Sequence, residues 1–212
     1  MGVSERKERE RERRREDILD AAEKVFFEKG IDLATMEDVA LTAELSKATL
    51  YLYFSSKEEI YFAIFVRGQK KMTKMMLRAT NLLPHTREKM NAFARSVFAF
   101  QKKYPDYFKA FIYFQTHGIN ITGESIYLAD YQKSRQVLLD TWISLMQAGK
   151  QEAVINEQMD EMRTGAILWM QMLGFLMIYP LMKNDMKNQF HFNDKNIVED
   201  YTGLVFNGIL KK

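Results

Sequence analysis

Residues 35–60, TMEDVALTAELSKATLYLYFSSKEEI, carry three helix-start signals in close succession. Thr35 is a hydroxyl N-cap, and Asp38, three residues on, supplies an acid for the first turn. Met36, Val39, Ala40 and Ala43 then recur on one helical face. Ser46 is a second N-cap, ahead of the short segment 47–53. There Leu50 is the inward residue, and Lys47, Thr49 and Tyr51 are left to point outward. Ser56 followed by Glu59 is a capping box and marks a third helix. Two short helices, a tight turn and a closing helix form a helix-turn-helix, which can place one small helix in the major groove of DNA.

Upstream, residues 16–29 supply a supporting helix. Ile18, Leu19, Ala22, Val25 and Phe26 follow helical spacing, and Gly30 closes it as a C-cap. With these residues in place, the segment resembles the DNA-binding domain of TetR-family transcriptional regulators. The resemblance is carried by Ile18-Leu19-Asp20-Ala21-Ala22, by residues 26–30 and 35–40, and by residues 46–54 and 56–60. It covers roughly residues 14–62. The remainder fits the family in length and helical character alone.

The resemblance implies an all-α protein. Residues 1–62 would form a three-helix helix-turn-helix DNA-binding domain with a charged N-terminal arm. Residues 63–212 would form a helical ligand-binding and dimerisation domain. The DNA-facing set would be Thr35, Ser46, Lys47, Ala48, Thr49, Tyr51, Tyr53 and Lys57. Of these, Thr35 and Tyr53 would hydrogen-bond phosphates, and Lys47, Ala48, Thr49 and Tyr51 would lie in or beside the major groove. Lys57 would meet a phosphate with its ammonium and with free backbone N–H groups. Tyr51 and the methyl groups of Ala48 and Thr49 suit thymine methyls. No Arg, Asn or Gln lies in residues 47–53, so bidentate purine reading is not evident there. Three positions depart from the family pattern. Glu44 stands where Gly is usual in the turn, at a cost of roughly 1 kcal/mol if that residue needs positive φ. Ala48 replaces a common Gly, and Leu52 stands where a polar or basic residue is usual.

Charge does not argue for DNA. Residues 1–66 hold eleven Lys/Arg against fifteen Asp/Glu, whereas residues 67–212 hold twenty against thirteen. A DNA-binding head with net negative charge would rely on specific contacts more than on bulk attraction. The N-terminal run 5–17, ERKERERERRRED, alternates in sign, so opposite charges pair at helical spacing and can extend the first helix into solvent. Two readings stand: an arm whose Arg13, Arg14 and Arg15 reach phosphates or the minor groove, or a solvated helix end.

The rest of the chain reads as helices divided by sparse breakers. The expected spans are 57–83, ended by Pro84; 86–104, capped by Thr86; and 106–117, with Gly118 behind it. Then come a loop at 119–123 and helices at 124–148, at 156–181 capped by Asn156, and at 194–210 capped by Asp194. Residues 165–182, GAILWMQMLGFLMIYPLM, approach the lower bound for a membrane span. Short length, Pro180 and the lack of basic flanks favour a buried or subunit-interface helix, with no membrane partner. The family resemblance implies a homodimer through the last two helices, with two heads reading a pseudo-palindromic double-stranded operator.

The resemblance also implies a ligand site in the body. Aromatic residues and Met are dense there, and Phe111, Tyr113, Phe114, His117, Tyr131, Trp142, Trp169 and Met172 are the candidate contacts. Core packing is the plainer role for any one of them. As a site they would suit an apolar or aromatic small molecule. The function implied is a ligand-responsive regulator, a repressor by the family norm, located in the cytoplasm. A helical protein-binding adaptor is the alternative. No catalytic residue, cofactor or metal site is expected. There is no Cys, the three His are far apart in sequence, and no HExxH, GxSxG or phosphate-binding glycine loop occurs.

Overall fold

The computed structural model describes residues 3–119, 125–191 and 196–207. Its helices are α1 (Val3–Leu33), α2 (Met36–Thr42), α3 (Lys47–Tyr51), α4 (Lys57–Asn81) and α5 (Thr86–Lys103). They continue with α6 (Pro105–His117), α7 (Ile126–Gln151), α8 (Glu161–Phe190) and α9 (Ile197–Asn207). The all-α architecture is as expected. Two compact units emerge: one from Met1–Gln69 with Asp106–Tyr131, the other from Lys70–Pro105 with Gln132–Lys212. These units cut across a contiguous division at residue 62, because α6 and the start of α7 belong with the first.

In the first unit, α1 buries Ile18, Leu19, Ala22 and Phe26, and Val39, Leu50 and Phe54 of the following segments are likewise nearly inaccessible. Gly30 takes φ 76°, ψ 167°, a positive-φ conformation open to glycine, and breaks the helix before one more turn. α4 adds Ile60, Phe62 and Phe65. Gly68 lets α6 approach: a Cβ there would stand 2.8 Å from the Tyr107 ring. Arg67 ties α4 to α1, bonding Asp20 and Glu23 at 2.7 Å and Glu16 at 2.5 Å. Burial opposes the Arg67 charge, but the Glu23 bond and the three carboxylates outweigh it and hold its pKa above the ordinary value. Tyr107 also donates to Glu23 at 2.5 Å. Three acids of the negative head are thus gathered by one cation just beyond residue 66.

In the second unit, Met72, Met76, Met90, Val97, Phe100 and Met146 are buried. α5, α8 and α9 meet through Phe98, Phe175 and Tyr201, with ring centroids 4.8–5.8 Å apart. Arg95 pairs with Glu199 at 2.9 Å.

Several boundaries differ from the sequence reading. Thr86 is the first residue of α5, not its cap; its buried hydroxyl donates to Glu152 at 2.7 Å. Asn156 accepts from the Gln158 N–H in a local turn, and Asp160 is the cap of α8, accepting from the Arg163 N–H. α8 runs on through Pro180 to Phe190. The expected loop at 119–123, the helix start at Glu124, and the Asp194 cap and end of the last helix fall wholly or partly outside the described residues.

Candidate nucleic-acid interface

Local caps build the helix-turn-helix. The Thr35 hydroxyl accepts from the Asp38 N–H at 3.1 Å, and the Asp38 carboxylate accepts from the Thr35 N–H at 3.1 Å, a complete capping box. Lys29 holds the same carboxylate at 2.7 Å, and the Lys29 and Thr35 bonds lower the Asp38 pKa. Ser46 caps α3 by accepting from the Thr49 N–H at 3.0 Å. At the third start the box is split. Ser56 accepts from the Glu59 N–H, but the Glu59 carboxylate accepts from the Ser55 N–H and hydroxyl instead, one residue earlier than a reciprocal box requires.

The turn between α2 and α3 has Glu44 at φ 54°, in the left-handed region. The unusual Glu therefore adopts the glycine-like conformation instead of reshaping the turn, and bears the strain of a Cβ there. The Glu44 N–H donates to Leu41 O at 3.1 Å, and the Leu45 N–H donates to Ala40 O at 2.9 Å.

Leu50 is wholly buried and anchors α3. Around it Ser46, Lys47 and Ala48 are exposed, Thr49 and Tyr53 are half-buried, and Tyr51 is 47% exposed. Thr35 is exposed beside the same turn region. One contiguous stretch therefore presents a methyl, a hydroxyl, a phenol and an ammonium outward over a single apolar anchor. Leu52, at the C-cap, is 72% exposed, so the position lacking a polar group is also open.

Both lysines of this set have partners within the protein. Lys47 forms an ion pair with Glu37 of α2. The bond lowers the Glu37 pKa and raises that of Lys47. Lys57 donates its ammonium to the carbonyls of Ile31 at 2.8 Å, Ala34 at 3.2 Å and Asp32 at 3.3 Å. It thereby satisfies the chain leaving α1, where helix carbonyls lack partners. Sequence spacing gave no sign of either bond, since the partners lie ten and more than twenty residues away.

The expected ligand contacts are distributed over both units. Phe111 and Phe114 are buried in the first, in ring contact with Phe65 at 5.7 and 5.1 Å. Tyr131 meets Phe62 and Phe65, and Tyr113 stacks on His117 at 4.3 Å. In the second unit Trp142 packs on Phe93 and donates to Glu161 O at 2.8 Å. Met172 is buried and Trp169 half-buried. Phe111, Phe114 and Tyr131 thus form an aromatic core with α4. Among the described residues no group of His, Asp or Glu could hold a metal.

This geometry is that of a helix-turn-helix head. Residues 18–64 match the family model for bacterial regulatory proteins, tetR family. The HTH-type transcriptional activator FasR of Mycolicibacterium smegmatis is 29% identical over 131 residues, 62% of this chain. The aligned stretch spans 55% of that relative, about half its length. A ketosteroid transcriptional regulator of Mycobacterium tuberculosis superposes with a TM-score of 0.67 at 16% identity, over 94% of this chain and 96% of its own. The transcriptional regulator FadR of Bacillus subtilis, solved in complex with stearoyl-CoA, does so with a TM-score of 0.66 at 18% identity, over 91% and 97%. Over residues 18–64 the head is similar in sequence to the TetR family, and nearly the whole chain resembles solved regulators in fold.

Proposed function

We propose that the protein is a ligand-responsive repressor that binds a pseudo-palindromic operator as a homodimer and is released by a lipophilic or aromatic small molecule. The observation that carries this reading is α3, whose Ala48, Thr49 and Tyr51 stand outward over the buried Leu50. On the operator, Thr35 and Tyr53 position the head on phosphates, and Tyr51 and the two methyl groups read base edges. Lys47 exchanges Glu37 for DNA. Lys57 stays on the α1 carbonyls and leaves the phosphate to the free N–H groups at the start of α4.

Dimerisation is supported by α8. Ile167, Met170, Gly174, Ile178 and Leu181 fall at successive three- and four-residue steps, and the four large residues are 51–80% exposed. By length and composition the same helix also passes for a membrane span, but a stripe of this spacing suits a partner helix. For the effector, the aromatic density of α6 and α7 favours a lipophilic class, and a regulator of the same fold holds stearoyl-CoA. The effector would act by binding the DNA-competent and DNA-released conformations with different affinity. Relatives include both an activator and a negative regulator of a biofilm operon. Repression is therefore tested directly, by reporter expression with and without the gene.

Nuclease footprinting on DNA upstream of the protein's own gene tests operator binding. A protected pseudo-palindrome is expected, and it should be lost in Lys47→Ala/Tyr51→Ala with unchanged circular dichroism. Absence of protection there and in genome-wide site selection would overturn the reading in favour of a protein-binding adaptor.

A further inference from the structure

We infer that α1 carries a second DNA-backbone surface, in which Lys7, Arg11, Arg13 and Arg14 hold phosphates flanking those met by α3. This rests on the operator-binding reading above. α1 is helical from Val3, well before the family match begins at residue 18. The seven basic residues of this extension divide into two groups. Arg6 pairs with Glu10 at 3.1 Å, Arg9 donates to the Glu5 carbonyl at 3.3 Å, and Arg15 pairs with Glu12 at 3.6 Å. The Arg15 side chain is only 14% exposed, which sets it apart from Arg13 and Arg14. Lys7, Arg11, Arg13 and Arg14 have no acidic partner among the described residues.

Those four line an open groove together with Glu10, Asp17, Leu52 and Tyr53. Lys7, Arg11 and Arg14 follow i, i+4, i+7 spacing and so share one face, about 10 Å long. Glu10 is engaged by Arg6, and Asp17 is the remaining acid in the groove. The opposite wall is the end of the recognition segment, where Tyr53 is assigned to a phosphate. The groove therefore continues the DNA-facing surface, and its free cations complement a polyanion carrying a charge every ~1.7 Å along the duplex. Exposed arginines on this helix would hold the backbone without reading sequence. Seven of the head's fifteen acids are engaged by Arg6, Arg15, Arg67, Lys29 and Lys47, which moderates the repulsion a polyanion would meet there.

The test is a salt series of affinities, measured by fluorescence anisotropy with the full chain on its footprinted operator and on unrelated duplex. Arg11→Gln/Arg14→Gln should reduce the slope of log K against log salt by about 1–2 per protomer. It should weaken both DNAs by the same factor, leaving their ratio unchanged. Asp17→Asn should tighten both. Arg11→Lys/Arg14→Lys should keep the wild-type slope, and Arg9→Gln, whose side chain does not line the groove, should leave it unaltered. Wild-type operator binding with an unchanged slope in the double glutamine variant would overturn the inference. So would a loss confined to the operator, which would mean base reading. Failure of the wild-type chain to bind any DNA would instead remove the underlying operator reading.

Discussion

α3 and α8 hold their places by opposite means. α3 has five residues and is fixed by one hydroxyl cap, the buried Leu50 and the Lys47–Glu37 ion pair, with Ala48 and Tyr51 exposed. α8 has thirty residues and a mean hydropathy of 1.6 in its apolar window, yet most of that window is uncovered by its own chain. A short helix is marginal by itself, since nucleation is costly and few hydrogen bonds repay it. α3 is therefore dictated by its surroundings: the caps at Thr35 and Ser46, the Glu44 turn and the pocket under Leu50. α8 needs no such help to form, but its apolar stripe needs something to bury it. In the proposed function, recognition rests on a small element held by its surroundings, and assembly on a long element incompletely buried.

The largest expected effect is at α8. Ile178→Glu/Leu181→Glu should convert a dimer to monomers in analytical ultracentrifugation, and operator affinity should fall by about two orders of magnitude or more as bivalency is lost. An unchanged sedimentation coefficient would remove the contrast, because the stripe would then not be the dimer surface. Next, Leu50→Ala should lower the unfolding free energy by about 3 kcal/mol and abolish footprinting, since the whole anchor of α3 is removed. A cost under 1 kcal/mol would mean that the caps, not the anchor, hold the helix.

Glu44→Gly should stabilise the head by about 1 kcal/mol by relieving positive φ, seen as a rise in melting temperature with operator contacts intact. The smallest effect is confined to alkaline pH. Burial, then the Tyr113, Asp106 and Asp32 charges, pushes the Tyr61 phenol up to about 12. Its folded value exceeds the ordinary value of about 10, so its contribution is complete below pH 10 and is lost as pH rises towards 12. Tyr61→Phe should flatten that alkaline fall by about 1 kcal/mol in denaturant titrations at successive pH values. An identical slope in wild type and variant would assign the fall to other groups.

Where the two helices differ, so did their legibility. The caps at Thr35 and Ser46 act over three residues, and Leu50 is the only large apolar side chain in the middle of its segment, so sequence located them directly. The split box at Ser55, Ser56 and Glu59 was half legible: spacing gave the pairing, but not which N–H the carboxylate reaches. The Arg67 cluster, the Lys57 carbonyl bonds and the groove beneath Arg11 and Arg14 join residues tens of positions apart, and no local rule brings these together. The aromatic residues of α6 and α7 are rich in sequence signal, yet core and ligand site draw on the same residue types.

The sequence by itself determined the helical class, the three-part helix-turn-helix segment and the resemblance to the TetR family, because caps, periodicity and turn chemistry are short-range. Only the tertiary structure decided that α6 joins the first unit, that Lys47 and Lys57 are held within the protein, and which arginines of the first helix face the recognition segment. Those outcomes depend on which charged groups fold brings within about 3 Å of each other, a distance at which hydrogen bonding selects one partner among many.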